Sequence, residues 1–349
     1  MKKILLHQRG MKQNNLFDPA VRDYSNDPYI RLRARMLDLG YELNTIDDRP
    51  VGDADRVLFF DASSVYPPRL QEYLVGRLTN QNIQLRGRDI YGECLAGRME
   101  DRMALFLWEG SVISPLNWRQ ELHAKFSTIF TWNDHYVDGN KFHKLHWPQP
   151  TRFGAVTAKP FHDKKLLVNI SMNKYSSRPH ELYSARRRSI RYFERSQPDQ
   201  FDLYGVGWDK SLSLRGRVQS IGAAPYSSYR GTVGRKSDVF PNYRFALCYE
   251  NIRGAPGYIT EKIFDCMRAD CVPIYWGASN VGTYIPAECF IDRTLFGSDA
   301  ELERYLLSIS DTDYAQYRRA IDDFLSGSAF AAFGEDAFCD QVIRVLRLA

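Results

Sequence analysis

No apolar run in this chain approaches the roughly 18 residues that a membrane-spanning helix requires. The start, Met1-Lys2-Lys3-Ile4-Leu5-Leu6, is basic, but its apolar part stops at His7-Gln8-Arg9. That is too short for a secretory leader and reads as a first β-strand. Cysteine is sparse: Cys94, Cys248, Cys266, Cys271, Cys289 and Cys339 are scattered, and no CxxC spacing occurs. A disulfide framework or a thiolate metal site is therefore not indicated; buried free thiols in a reducing compartment are expected. Internal repeats and low-complexity segments are missing too. Charge of neither sign dominates. The 47 basic and 42 acidic residues leave +5, a mild lean toward anionic partners such as nucleotide-sugars or an acidic membrane face.

Metal-ligand arrays are equally scarce. Asp53-Ala54-Asp55 and Asp311-Thr312-Asp313 have the DxD spelling of metal-dependent transferases. The first precedes a strand and the second lies in a helical stretch, so both are expected to be turns or helix caps. His143 and His146 have no carboxylate or cysteine companions. No essential protein-held metal or other cofactor is expected, and a divalent cation would act only as a stimulant.

What is present is alternation. At 349 residues with 44% hydrophobic content, the chain has room for two cores. Ile4-Leu5-Leu6, Tyr41-Glu42-Leu43, Arg56-Val57-Leu58-Phe59-Phe60, Met103 to Trp108 and Thr128 to Trp132 read as strands, with a helix near Tyr29 to Leu39. Trp147-Pro148-Gln149-Pro150 and His162-Asp163-Lys164-Lys165 interrupt the pattern, which places a linker near residues 148 to 163. The expected domains are 1–155 and 156–349. In the second, strands at Leu166 to Ile170 and Phe201 to Gly205 flank a helix over Glu181 to Arg195. Helices are expected over Glu301 to Leu325 and Asp336 to Leu346. Strands alternating with helices argue an α/β fold with parallel sheets.

The most informative stretch is residues 244 to 277. Phe245 to Tyr249 is a strand, Gly254, Pro256 and Gly257 break the chain, and Thr260 is suited to cap a helix carrying Ile263, Phe264 and Met267. Val272 to Trp276 is a second strand. This is one parallel crossover unit, and its loop lies at the carboxyl edge of the sheet, where open α/β sheets bind ligands. Glu261 suits a helix start, but Lys262 beside it is disfavoured there by roughly 0.3–1 kcal/mol. Either an anion such as phosphate offsets that cost, or the lysine stem lies along a solvated surface.

Tyr243-Arg244-Phe245, Tyr249-Glu250-Asn251, Gly257-Tyr258-Ile259-Thr260-Glu261-Lys262 and Val272-Pro273-Ile274-Tyr275-Trp276-Gly277 together resemble the donor-binding signature of the α1,3/α1,4-fucosyltransferases, glycosyltransferase family 10. Tyr249 stands where that family usually has Phe. The resemblance implies a GT-B fold of two Rossmann-like domains facing across a cleft. The first would bind the acceptor and the second GDP-fucose, with inverting transfer of L-fucose to a glycan hydroxyl. It implies an oligosaccharide or lipopolysaccharide-type acceptor. The family's animal members carry a membrane anchor ahead of the catalytic domain. None is visible here, so a bacterial, cytoplasmic enzyme, with peripheral membrane association as an option, is expected.

Glu109 follows the strand ending at Trp108, on a turn with Gly110 and Ser111, and resembles the family's base block with Pro115 downstream. The other reading is an exposed loop glutamate. As general base it would take the acceptor hydroxyl's proton. Arg186, Arg187, Arg188 and Arg191 share one helix and cannot all face one ligand. The resemblance implies one diphosphate-binding arginine here, and spacing to Ile190 and Phe193 suggests Arg187, with Arg186 close behind. By the same resemblance Lys262 meets the diphosphate and Glu261, a second catalytic group, faces the fucose ring. Asn251 and Tyr258 line the nucleotide pocket, Asn173 (with Ser171 and Lys174) joins it, and Glu250 secures the loop. Another nucleotide-linked deoxysugar donor is the nearest alternative. A non-catalytic nucleic-acid binder is more distant, because basic and aromatic residues do not interleave along any one element.

Overall fold

The computed structural model describes residues 1–47, 49–66, 88–209 and 224–348. It divides into two compact units, Met1–Arg152 with Ala332–Ala349, and Phe153–Ala331.

The first unit is built on a six-stranded sheet, β1 (Lys2–His7), β2 (Tyr41–Thr45), β3 (Arg56–Phe60), β4 (Met103–Leu107), β5 (Thr128–Thr131) and β6 (Phe142–Lys144). The strand order is β2-β1-β3-β4-β5-β6, and every pairing is parallel. A parallel sheet is covered on both faces, so its strands are apolar throughout. Side chains alternate between the two covers as the pleat requires. Ile4, Leu6, Leu58, Phe60, Ala104 and Phe106 enter one core; Leu5, Val57, Phe59, Met103, Leu105 and Leu107 enter the other. Helix α1 (Asp27–Asp38) covers the first face through Leu32 and Met36, and α2 (Ile90–Ala96) covers the second through Ile90 and Cys94.

In the second unit the sheet comprises β7 (Lys165–Ile170), β8 (Phe201–Tyr204), β9 (Tyr243–Tyr249), β10 (Val272–Trp276) and β11 (Ile291–Asp292). Its order is β11-β10-β9-β7-β8, again all parallel. Helix α3 (Tyr183–Ser196) joins β7 to β8, and α4 (Glu261–Arg268) joins β9 to β10.

Two expectations are corrected. The stretch Glu301 to Leu325 is two helices, α5 (Asp299–Ser308) and α6 (Asp311–Ser326). Ile309 is extended, and Ser310 starts a new helix through a capping box with Asp313. The final helix α7 (Glu335–Leu346) belongs to the first unit, not to a second domain running to residue 349. Its Phe338, Cys339, Val342, Ile343 and Leu346 are buried in the same core as α1. Both DxD spellings serve local structure. Asp55 accepts the Lys3 amide at 2.7 Å, Asp53 pairs with Lys3 at 3.8 Å, and Asp313 closes the α6 capping box. The six cysteines are buried and unpaired, as expected. Among the described residues no helix is long and apolar enough to cross a membrane.

Candidate functional site

Strand β7 is flanked by β8 on one side and β9 on the other. The chain leaves β7 for β8 and then doubles back to β9. Loops departing the carboxyl ends of β7 and β9 therefore part company, and this reversal is where doubly wound sheets bind ligands. A small pocket of about 20 Å³ sits there, lined by Ile170 and Ser171 from the end of β7, Leu247, Cys248 and Tyr249 from β9, and Arg186, Lys236, Phe240 and Lys262. Gly205, at φ +123, lets the turn after β8 close on β7: a Cβ there would lie 1.9 Å from the Ser171 carbonyl oxygen.

The β9–α4 loop passes through Gly254 and Gly257, both in the left-handed region. Thr260 is the N-cap residue of α4, as the sequence suggests, but its hydroxyl bonds no amide of the helix and is turned instead onto Glu250. Its fully buried carboxylate accepts the Thr260 amide at 2.8 Å and the Thr260 hydroxyl at 3.0 and 2.9 Å. The same carboxylate holds Lys262 Nζ at 3.0 Å, and Glu261 Oε1 lies 3.7 Å from that ammonium. Burial works against the charge on Lys262, but the Glu250 and Glu261 carboxylates outweigh it and raise the lysine's pKa. Burial likewise opposes ionisation of Glu261, yet Lys262 and Lys236 hold its carboxyl down at about 2. Lys262 is thus neither misplaced nor merely solvated: it is a fixed cation at a helix start. Glu250 secures the loop, as expected.

The two adjacent arginines go different ways. Arg186 is 4% exposed and donates to the carbonyl oxygens of Tyr249 and Glu250, the latter at 3.1 Å. Burial pulls its pKa down. No carboxylate lies within ion-pairing distance of it among the described residues. Arg187, the arginine expected at the diphosphate, is turned away. It donates to the Lys174 carbonyl and to Ser184 Oγ at 3.2 Å, and its guanidinium stacks 3.9 Å above the Tyr175 ring. It lines a separate cavity of about 970 Å³ with Asn173, Arg188, Trp208 and Tyr226. Arg186, not Arg187, shares a pocket with Lys262. On a helix, neighbours in sequence point about 100° apart, so four charged letters in near succession cannot reveal which one the fold turns inward.

Among the remaining donor candidates, Asn251 Nδ2 donates to the Tyr258 hydroxyl at 3.4 Å, so these two stand together on the β9–α4 loop. Tyr258 is buried, and its carbonyl accepts from the Tyr275 hydroxyl at 3.2 Å. Asn173 is buried; its amide Nδ2 donates to the Gly207 carbonyl at 2.9 Å, and it lines the Arg187 cavity rather than the Lys262 pocket.

Glu109 lies in the first unit, two residues beyond the carboxyl end of β4, and is half-buried. Its backbone is gripped at both ends. The amide donates to Asp61 Oδ1 at 3.1 Å, and the carbonyl accepts from Asn117 Nδ2 at 3.0 Å and Trp118 Nε1 at 3.2 Å. Neither Asp61 nor Asn117 stands out as a site residue by sequence reasoning. The available signal for Asp61 is its place directly after Phe60, the same strand-end logic that selects Glu109.

Residues 202–342 match the model "Glycosyltransferase family 10 (fucosyltransferase) C-term". The matched segment takes in β9, α4 and β10, and with them Glu250, Asn251, Tyr258, Glu261 and Lys262. Over 83 residues the chain is 39% identical to an α-(1,4)-fucosyltransferase of Arabidopsis thaliana, covering 22% of this chain and 20% of the relative. Over 156 residues it is 28% identical to the α-(1,3)-fucosyltransferase FucT of Helicobacter pylori, covering 38% of this chain and 32% of the relative. The chain thus aligns with less than a third of the length of these relatives. The fold extends further than the sequence match. An α1,3-fucosyltransferase crystal structure with GDP superposes with a TM-score of 0.53 at 13% identity, over 99% of this chain and 90% of that one. The Anabaena protein Alr3699/HepE in complex with UDP-glucose superposes at 0.56 and 12% identity, over all of both chains. Two parallel-sheet α/β units of the GT-B class are therefore the architecture of this molecule.

Proposed function

We propose that this chain is an inverting glycosyltransferase of family 10 that moves L-fucose from GDP-fucose to a hydroxyl of an acceptor glycan. One observation carries the reading. Arg186 is a buried guanidinium with no carboxylate partner among the described residues, and it opens on the pocket at the sheet's reversal that also holds Lys262. A buried guanidinium held only by carbonyl oxygens, with Glu250 acting on it from beyond ion-pairing distance, is costly, and a bound anion offsets that cost. A planar guanidinium beside an ammonium suits a diphosphate, the first as a bidentate fork and the second as a point charge.

Arg186 and Lys262 take up the negative charge that grows on GDP as the bond from the anomeric carbon to the diphosphate oxygen breaks. Glu261, ionised at any working pH, stabilises the positive charge that develops on the sugar ring. The acceptor hydroxyl attacks from the opposite face and forms the new carbon–oxygen bond. Its proton passes to the Glu109 carboxylate, a step that typically contributes about 10²–10⁴-fold. A single displacement inverts the anomeric centre and needs no covalent sugar–enzyme intermediate, and no residue in it requires a metal.

Incubation of the full chain with GDP-fucose and a panel of galactosyl-N-acetylglucosamine acceptors, read by mass spectrometry, tests this. Other GDP- and UDP-sugars run in parallel, with and without EDTA. Addition of one deoxyhexose from GDP-fucose, surviving EDTA, is expected. Transfer only from a UDP-sugar, or from no donor with any acceptor, would contradict the reading.

A further inference from the structure

Asp61 follows β3 directly and starts a short 3₁₀ turn, Ala62–Ser64. An aspartate in that position ordinarily caps the turn beneath it. This one does not: its side chain accepts from none of the turn's own amides, and the Ala62 amide donates to Asn117 Oδ1 at 2.7 Å. The Asp61 side chain reaches across to the end of β4. Its Oδ1 accepts the Trp108 amide at 2.8 Å, the Glu109 amide at 3.1 Å and Asn117 Nδ2 at 2.6 Å. Both Asp61 and Asn117 are buried, at 7% and 0% exposure. To make this reach the backbone adopts φ 59, ψ 166, a region that glycine occupies freely and other residues almost never do. A helix cap would need no such conformation. Carboxylate, buried amide and unfavourable backbone all converge on one product, a fixed turn at Glu109.

We infer that Asp61 is the positioning residue for Glu109: through Oδ1 it clamps the Trp108 and Glu109 amides and orients Asn117 onto the Glu109 carbonyl. The inference rests on Glu109 being the base of the proposed transfer. Asp61 touches no substrate in this role; it acts through the turn it holds. The proposed donor groups lie in the other unit.

Three variants of the full chain, measured in the same fucosyl-transfer assay, test this. Asp61→Gly fits the backbone without strain but removes the clamp. It should lower kcat by about 10- to 100-fold, as expected for a misplaced catalytic group, with the KM for GDP-fucose and the affinity for GDP within about twofold of wild type. Amide exchange at Trp108 and Glu109 should accelerate while the β9–α4 segment stays protected. Asp61→Asn keeps an acceptor at Oδ1 and should restore most of the lost kcat. Glu109→Gln serves as reference. If Glu109→Gln is inactive but Asp61→Gly turns over like wild type, or if Asp61→Asn is no better than Asp61→Gly, the positioning role alone is wrong. If Glu109→Gln stays active, Glu109 is not the base and the inference falls with it.

Discussion

Two carboxylates at neighbouring strand ends illustrate what single residues do here. Glu109→Gln keeps size and hydrogen-bonding shape but cannot accept a proton, so transfer should fall by at least about 10²-fold. GDP affinity should be unchanged, because the cationic pair lies in the other unit; near-normal turnover by Glu109→Gln would place the base elsewhere. Asp61 carries a measurable signature of its own. Burial pushes its carboxyl up from 3.8 to about 6, more than its hydrogen bonds from Glu109, Trp108 and Asn117 pull it down. The unfolded chain releases that proton near 3.8, so between about pH 4 and 6 the folded chain binds more protons. Stability therefore falls as pH rises through this window, and above it the ionised group costs about 3 kcal/mol. Thermal melts at pH 4 and pH 7 should show a smaller loss for Asp61→Asn than for wild type; parallel pH profiles would contradict the assignment. At this scale the sequence is only partly legible. Glu109 is readable because a strand end and a glycine turn mark it. Asp61 carries the first of those marks without the second, and its bond to residues 47 and 48 positions away is a tertiary fact. Arg186 is hidden among its neighbours for a geometric reason, since only packing decides which face of α3 turns inward.

The β9–α4–β10 unit is the element on which the donor reading stands. Its order and bounds are legible because apolar strands, a glycine-rich break and a helix-period pattern agree with one another. Thr260 is legible as the N-cap residue of α4, but nothing local shows that its amide and hydroxyl are held by a buried glutamate ten residues earlier. Glu250 has a consequence of its own. Removing it strips the Thr260 amide and hydroxyl of their acceptor and leaves Lys262 without its closest counterion. Breaking a buried ion pair in this way costs about 3–5 kcal/mol. Because Lys262 keeps 24% of its side chain exposed, the lower end is expected. Glu250→Ala should therefore lower the denaturation midpoint and weaken GDP binding together. A stable variant with normal GDP affinity would show that the loop does not depend on this carboxylate.

For the molecule as a whole, the two-sheet plan is legible from alternation alone, whereas the return of the last helix is not. An amphipathic helix shows which face it buries but not which sheet covers it. Phe338, Val342, Ile343 and Leu346 are all buried in the first unit's core. Each contributes about 1.5–3 kcal/mol when removed from water, and together they rival the whole stability margin of a domain. Deleting residues 332–349 should unfold the first unit while the second still melts cooperatively in calorimetry. Loss of both transitions would mean that the second unit also depends on α7.

The central claim is that the second unit holds a nucleotide diphosphate between Arg186 and Lys262. Calorimetric titration of GDP into wild type, Arg186→Ala, Arg187→Ala and Lys262→Ala tests it most directly, with circular dichroism confirming that each variant folds. Loss of one charged contact costs about 1.5–3 kcal/mol, so Arg186→Ala and Lys262→Ala should each bind GDP at least about tenfold more weakly. Arg187→Ala should bind within about twofold of wild type. Unchanged affinity in Lys262→Ala, or a larger loss in Arg187→Ala than in Arg186→Ala, would contradict the account.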